Sequence, residues 1–292
     1  MSKIFEALNR QPGELAEAAL SPLAGNGHAA APVEHSAAPA EYAAGPIVAA
    51  AEVRSSAIKT VALRIPGKVP VLPFDGDHWE ANEQYRIVRT RLLHHPRQPR
   101  MIVVSSAGAG DGKTITAVNL AGAMSLKTES KVLLMDADFR RSSIHTQLGL
   151  PKEPGLADVL RGACTLEEAL VQTEQLPNLC VLPSGESKGN PAELLDSSPW
   201  PALCTRLRQM FRYVILDSPP IAAVADYDLI QAVCDGVVMV LRPDRTNRKQ
   251  CKAALQLIPE DKLIGAVLNC VPSWILGRYS SPYYYGNYGR YK

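Results

Sequence analysis

The chain has 292 residues, 46% of them hydrophobic and 21% charged, a balance that permits a sizeable core in one large domain or two small ones. A formal net charge of +2 is too mild to argue for a nucleic-acid partner, and none is expected. The six cysteines lack C-x-x-C spacing and sit mostly in apolar runs, which argues against zinc and for a reducing, cytoplasmic setting; with no run long enough to span a bilayer and no signal peptide, membrane contact is expected to be peripheral.

Residues 1–20 open with "MSKIFEALNR", where Ile4, Phe5 and Leu8 share one side of an expected short amphipathic helix. Either a docking role or a frayed terminus fits that segment. Residues 21–74 are rich in Ala, Pro, Gly and Glu, with too few large apolar side chains to offset their ordering entropy, and are expected to form a disordered linker. Order is expected from residue 75, beginning with the helix "HWEANEQYRIVRTRLL", which ends before Pro96. Thereafter short apolar runs ("RMIVVSS", "KVLLMD", "LCVLP", "YVILD", "GVVMVL", "LIGAVLN") alternate with helix-length segments, among them "TITAVNLAGAMSL", "LADVLRG", "LEEALVQ", "WPALCTRLRQMF" and "NRKQCKAALQLI". Strands apolar on both faces and separated by helices predict a three-layer α/β domain of the P-loop type over residues 75–271, with a mainly parallel sheet. Ligands of such sheets gather at the carboxyl ends of the strands.

At the end of the first of those strands stands "SSAGAGDGKTITAVNLA", a glycine-rich turn opening a helix. Backbone N–H groups of Gly108, Ala109, Gly110, Asp111 and Gly112 can cradle phosphates there, Lys113 can reach the β and γ phosphates of ATP, and Thr114 can offer its hydroxyl to Mg²⁺, with Ile115 in the first helical turn. Ala107 occupies the place where a strict G-x-x-x-x-G-K-T has its first glycine. Two more strands end in carboxylates: Asp136 and Asp138 in "KVLLMDADFRR", and Asp217 in "YVILDSPP". One such carboxylate could simply cap the following helix; three beside a phosphate loop suggest oxygen ligands for Mg²⁺ and a carboxylate left over to act as a base.

These motifs together resemble the bacterial tyrosine kinases (BY-kinases) of capsule and exopolysaccharide assembly. "VLLMDADFRR" is similar to their second Walker-type motif, "VILDSPP" to their Walker B, and the non-glycine at position 107 to their loop. The resemblance covers roughly residues 75–292. It implies Asp136 as the base that takes the tyrosine proton, Lys113 as the phosphate-binding catalytic lysine, and Thr114, Asp138 and Asp217 around the metal, with Asp136 and Asp138 free to exchange roles. Glu83, Arg86 and Arg89 match the E-x-x-R-x-x-R pattern through which such kinases assemble into rings; read from the residues alone, the same stretch is equally a solvated helix face. A separate transmembrane activator, a polysaccharide co-polymerase, is the implied partner that brings the chain to the inner membrane, and other protein substrates are compatible with the family.

Residues 272–292, interleaved with Gly and Ser, are expected to form a flexible tail and hold six of the ten tyrosines: Tyr279, Tyr283, Tyr284, Tyr285, Tyr288 and Tyr291. By the resemblance these are autophosphorylation sites, modified mainly between subunits. The alternative is a switch ATPase of the partitioning or division-site kind, on the same fold. Such proteins typically carry a second lysine early in the loop, where this chain has Gly108, and have no use for a terminal tyrosine cluster.

Overall fold

Strand β3 (Met101–Ser106) follows the pattern read from its residues: every side chain is buried, with Ile102 and Val104 in one apolar cluster and Met101 and Val103 in another. That alternation places the strand at the centre of a sheet covered on both faces. The computed structural model describes residues 3–4, 58–66, 78–126 and 131–271. Among them, nine strands form one sheet, in the order Lys3–Ile4 (β1), Leu263–Leu268 (β9), Gly236–Leu241 (β8), β3, Tyr213–Asp217 (β7), Val132–Asp136 (β4), Leu179–Leu182 (β6), Val171–Thr173 (β5), Lys59–Val61 (β2). Strands β4, β6, β7, β8 and β9 run parallel with β3.

Helices α1 (Trp79–Leu93), α2 (Lys113–Ser125) and α3 (Ile144–Leu148) cover one face, where Tyr85, Val88 and Leu92 of α1 pack with Leu120 and Met124 of α2 on the sheet. The other face is covered by α4 (Leu156–Leu160), α5 (Leu166–Ala169), α6 (Pro191–Leu195), α7 (Pro199–Met210), α8 (Asp226–Ala232) and α9 (Arg248–Gln256). Several helix starts are written in the local sequence. Thr165 and Glu168 form a reciprocal capping box on α5, Asn247 and Gln250 do so on α9, and Asn190 caps α6 just ahead of Pro191. Arg100 bonds the Arg208 and Phe211 carbonyls, closing the carboxyl end of α7. No helix among the described residues is long and apolar enough to cross a membrane.

Three expectations change. Lys3–Ile4, expected within an amphipathic helix, form a strand, β1, antiparallel to β9; the rest of residues 1–20 lie outside the described residues. A ten-residue helix gains little by itself, whereas the edge of β9 offers unpaired backbone groups. Second, the expected linker contains ordered chain: Lys59–Val61 form β2, parallel to β5 (Val171–Thr173). Leu63 is buried, with Val61 and Ile65 packed against the same cluster, and the Arg64 N–H donates to the Leu148 carbonyl at 3.0 Å. Apolar residues at 61, 63 and 65 carry a period-two signal that the Ala- and Pro-rich composition of the longer window conceals. Third, "LEEALVQ" is divided: its first four residues make α5, and Val171 and Gln172 enter β5, antiparallel to β6. The β-branched Val171 is buried in that strand.

Candidate active site

The loop 107–112 leaves β3 at its carboxyl end and enters α2. Ser106 Oγ donates to the Gly108 carbonyl at 2.7 Å, and the Gly108 N–H donates to Asp111 Oδ2 at 2.9 Å. Asn269, just past β9, donates from Nδ2 to the Asp111 carbonyl at 3.0 Å. Position 112 needs glycine twice over: its φ is +94°, and a methyl group there would stand 1.9 Å from Asn269 Nδ2. Ala109 and Gly110 lie exposed at the apex, while Ile115 is half-buried in the first turn of α2.

Sheet register brings the carboxylates to that loop. Strands β4 and β7 are parallel neighbours with Asp136 directly opposite Asp217. Asp217 Oδ2 accepts the Thr114 hydroxyl at 2.6 Å, and Lys113 Nζ lies 2.7 Å from Asp138 Oδ2 and 3.6 Å from Asp217 Oδ1. Asp217 Oδ1 is buried and accepts no hydrogen bond. Asp136 Oδ2 accepts the N–H groups of Ser143 and Ile144 at 3.1 and 3.2 Å, and its Oδ1 accepts that of Asp138 at 3.2 Å. Asp136 therefore does anchor the start of α3, the capping role that the sequence left open, while also standing in the acidic cluster.

Burial and crowding set the protonation. Burial, then the neighbouring Asp217 and Asp138, push the Asp136 carboxyl up to about 7 against the opposing pull of the Ile144 N–H. Burial likewise pushes Asp217 up to about 6, outweighing the Lys113 ammonium and the Thr114 hydroxyl, which favour its charged form. For Lys113, burial disfavours the ammonium, but Asp217, Asp138 and Asp136 together outweigh it and hold the proton on. The Thr114 hydroxyl, the Asp138 carboxylate and the unbonded oxygen of Asp217 form a hard oxygen donor set beside a phosphate cradle, and they fit Mg²⁺ with a nucleotide supplying its remaining ligands.

A second arrangement lies beside this one. Arg140 grips Asp226 with both Nε and Nη2, at 2.7 and 3.0 Å, tying the loop after β4 to the start of α8 beyond β7. Neither Asp226 nor Asn269 stands out in the sequence as a site residue; Asn269 is marked only by its place at the end of the last strand. On α1, Glu83 and Arg86 pair at 2.7 Å on an exposed face. Arg89 turns inward instead, its Nη1 donating to the Ala123 carbonyl of α2 at 3.2 Å. The tail tyrosines Tyr279, Tyr283, Tyr284, Tyr285, Tyr288 and Tyr291 lie outside the described residues.

Comparison with known proteins follows the same lines. The family model of the AAA domain matches residues 99–258. "Tyrosine-protein kinase YwqD" of Bacillus subtilis is 37% identical over 209 residues, covering 70% of this chain and 86% of that protein. Among solved structures, the chimerical protein CapA2B2 is 29% identical with a TM-score of 0.66, over 74% of this chain and 95% of its own. The kinase domain of Escherichia coli tyrosine kinase ETK is 27% identical with a TM-score of 0.64, over 79% of this chain and 94% of its own.

Proposed function

Because the chain belongs to the bacterial tyrosine kinases, built on an AAA domain, we propose that it transfers the γ-phosphoryl group of ATP to its own tail tyrosines, mainly between subunits of a ring. Residues 75–271 are the kinase domain and 272–292 its substrate. The observation that carries this reading is the convergence of Lys113, Thr114, Asp136, Asp138 and Asp217 at the ends of three adjacent parallel strands.

A tyrosine hydroxyl titrates near 10 and is a poor nucleophile at neutral pH, so its proton must be taken as the oxygen attacks. Asp136 suits that step better than Asp138, because its carboxyl titrates at about 7, whereas Asp138 is engaged with Lys113. As the tyrosine oxygen bonds to the γ-phosphorus, the bond to the β–γ bridging oxygen breaks and ADP departs. Lys113 exchanges its contact with Asp138 for the phosphates and, with the loop N–H groups of residues 108–112, holds them in line. Thr114 and Asp217, with Asp138 nearby, would hold magnesium, which would supply charge to polarise the phosphoryl oxygens.

The wider reading is that this kinase regulates exopolysaccharide or capsule polymerisation and export from the cytoplasmic side of the inner membrane. A separate transmembrane co-polymerase recruits and activates it, and other proteins can also serve as substrates. Incubation of the purified chain with Mg-ATP, followed by phosphotyrosine mapping by mass spectrometry, is the direct test. Label is expected on the tail of the wild type and absent from Lys113→Met. Asp136→Asn should bind Mg-ATP nearly as well as wild type yet transfer at least about a hundredfold more slowly. Wild-type transfer by Asp136→Asn would remove Asp136 from the role of base.

A further inference from the structure

Strand β8 is the parallel neighbour of β3, with Val240 opposite Ser106, so the loop that follows β8 emerges beside the phosphate loop. That loop and the start of α9 read "RPDRTNRKQCK", with five cationic side chains in eleven residues. Its contact with the phosphate loop is close. A methyl group at position 110 would stand 2.8 Å from both Cζ and Nη1 of Arg245 and 3.2 Å from its Nη2, so the guanidinium rests directly on the Gly110 backbone. The Asp111 carboxylate also acts on Arg242 and on Cys251 of α9. The two loops thus form one wall.

The arginines of this loop are not equivalent. Arg242 is engaged by Asp244 through two hydrogen bonds, at 2.9 and 3.1 Å. The Arg245 side chain is exposed and has no hydrogen-bond or ion-pair partner among the described residues. A guanidinium over the apex of a phosphate loop, free of hydrogen bonds and near only the Asp244 carboxylate in charge, matches a polyphosphate: it is permanently charged, and its planar array of N–H donors suits phosphate oxygens. At position 110 glycine admits both the φ of +85° and the guanidinium that covers it.

We propose that Arg245 is a nucleotide-binding residue, which reaches over Gly110 from the β8–α9 loop to the phosphates of ATP bound in the 107–114 cradle. This rests on the reading of that cradle as the ATP site, and it adds a contact from a strand that contributes no part of the Lys113–carboxylate cluster. Since the guanidinium touches phosphate in ground state and transition state alike, its loss should appear in binding and KM more than in kcat.

The test is calorimetric titration of the full chain with Mg-ADP and with magnesium tripolyphosphate, alongside autophosphorylation kinetics in Mg-ATP. Arg245→Ala is expected to weaken both ligands by about tenfold and to raise the KM for ATP similarly, with kcat changed less than about twofold. Arg245→Lys should recover part of the loss. Thermal unfolding without ligand should leave Arg245→Ala at the wild-type midpoint, which separates lost binding from lost fold; Arg245→Gln serves as a second neutral variant should the alanine chain fail to fold. The Lys113→Met chain is titrated in parallel. If Lys113→Met loses affinity and Arg245→Ala keeps it, Arg245 only packs on Gly110 and the inference fails. If both keep it, the ATP-site reading itself fails. A loss toward Mg-ADP but not toward tripolyphosphate would assign Arg245 to the nucleoside and overturn the phosphate contact.

Discussion

Asp136 and Asp217 carry the residue-scale consequences, because both sit in the folded chain as carboxyls that hold their protons too well. An unfolded carboxyl titrates near 4, whereas the folded Asp136 and Asp217 do so at about 7 and about 6. Below the unfolded value both states are protonated and these groups cost the fold nothing. As pH rises from there, the unfolded chain releases protons first, so the two carboxyls increasingly disfavour the fold, and the penalty levels off once pH has passed about 7. The nucleotide-free protein should therefore show a falling denaturant midpoint between about pH 4 and pH 7, from this cluster. Asp136→Asn should flatten the upper part of that fall, and Lys113→Met should steepen it by removing the cation that opposes the shifts. A profile that Asp136→Asn leaves unchanged would mean that Asp136 is ionised throughout.

At the scale of elements, β2 and α1 make separable predictions. Truncation before residue 58 removes only the two-residue pairing of β1 with β9 among the described residues, while truncation before residue 67 also removes β2, the buried Leu63 with its hydrogen bond to Gln175, and the Arg64 bond to Leu148, at a further cost of about 2–4 kcal/mol. Urea unfolding of the two chains measures the difference, and equal midpoints would make β2 an ornament of the sheet. On α1, Glu83 and Arg86 are exposed and their pair is worth only a few tenths of a kcal/mol within the helix. Arg89 is different, since it bonds a carbonyl of the helix that begins at Lys113. Arg86→Ala should accordingly lower oligomer mass in light scattering with an unchanged unfolding free energy, whereas Arg89→Ala should lower the unfolding free energy by about 1 kcal/mol. Unchanged mass in Arg86→Ala would return that face to simple solvation.

For the whole molecule the question is reach. From Asn269 to Tyr291 there are 22 residue steps, and an extended chain of that length spans up to about 70 Å, enough to reach a neighbouring subunit. Each phosphate adds about −1.5 to −2 charges, so six would contribute on the order of −9 to −12 to a chain that starts at +2. Such a tail should be repelled by the Asp136, Asp138 and Asp217 cluster and should loosen the proposed ring. Mixing Lys113→Met, tail intact, with an active chain truncated after Val271 isolates transfer between subunits. Phosphotyrosine is expected on the inactive chain, and its absence while the intact enzyme labels itself would exclude that route. Light scattering before and after full labelling checks release, with a fall in mass expected.

The order of apolar runs and helix-length segments, the glycine-rich turn with Lys113 and Thr114, and the acidic ends at Asp136, Asp138 and Asp217 were all determined by the sequence itself, because each depends on neighbours within one strand or one turn. Composition over long windows erred where a short signal was embedded in it, as at Val61, Leu63 and Ile65, and a helical pattern over residues 1–10 gave no warning that Lys3–Ile4 would pair with β9. Only the tertiary structure set Asp136 opposite Asp217, brought Asn269 to Asp111, turned Arg89 inward, joined Arg140 to Asp226 and laid Arg245 on Gly110. Each of those contacts links parts of the chain from 34 to 158 positions apart. Sheet order and helix packing decide such contacts: local periodicity specifies which face of an element is apolar, but not which distant element will cover it.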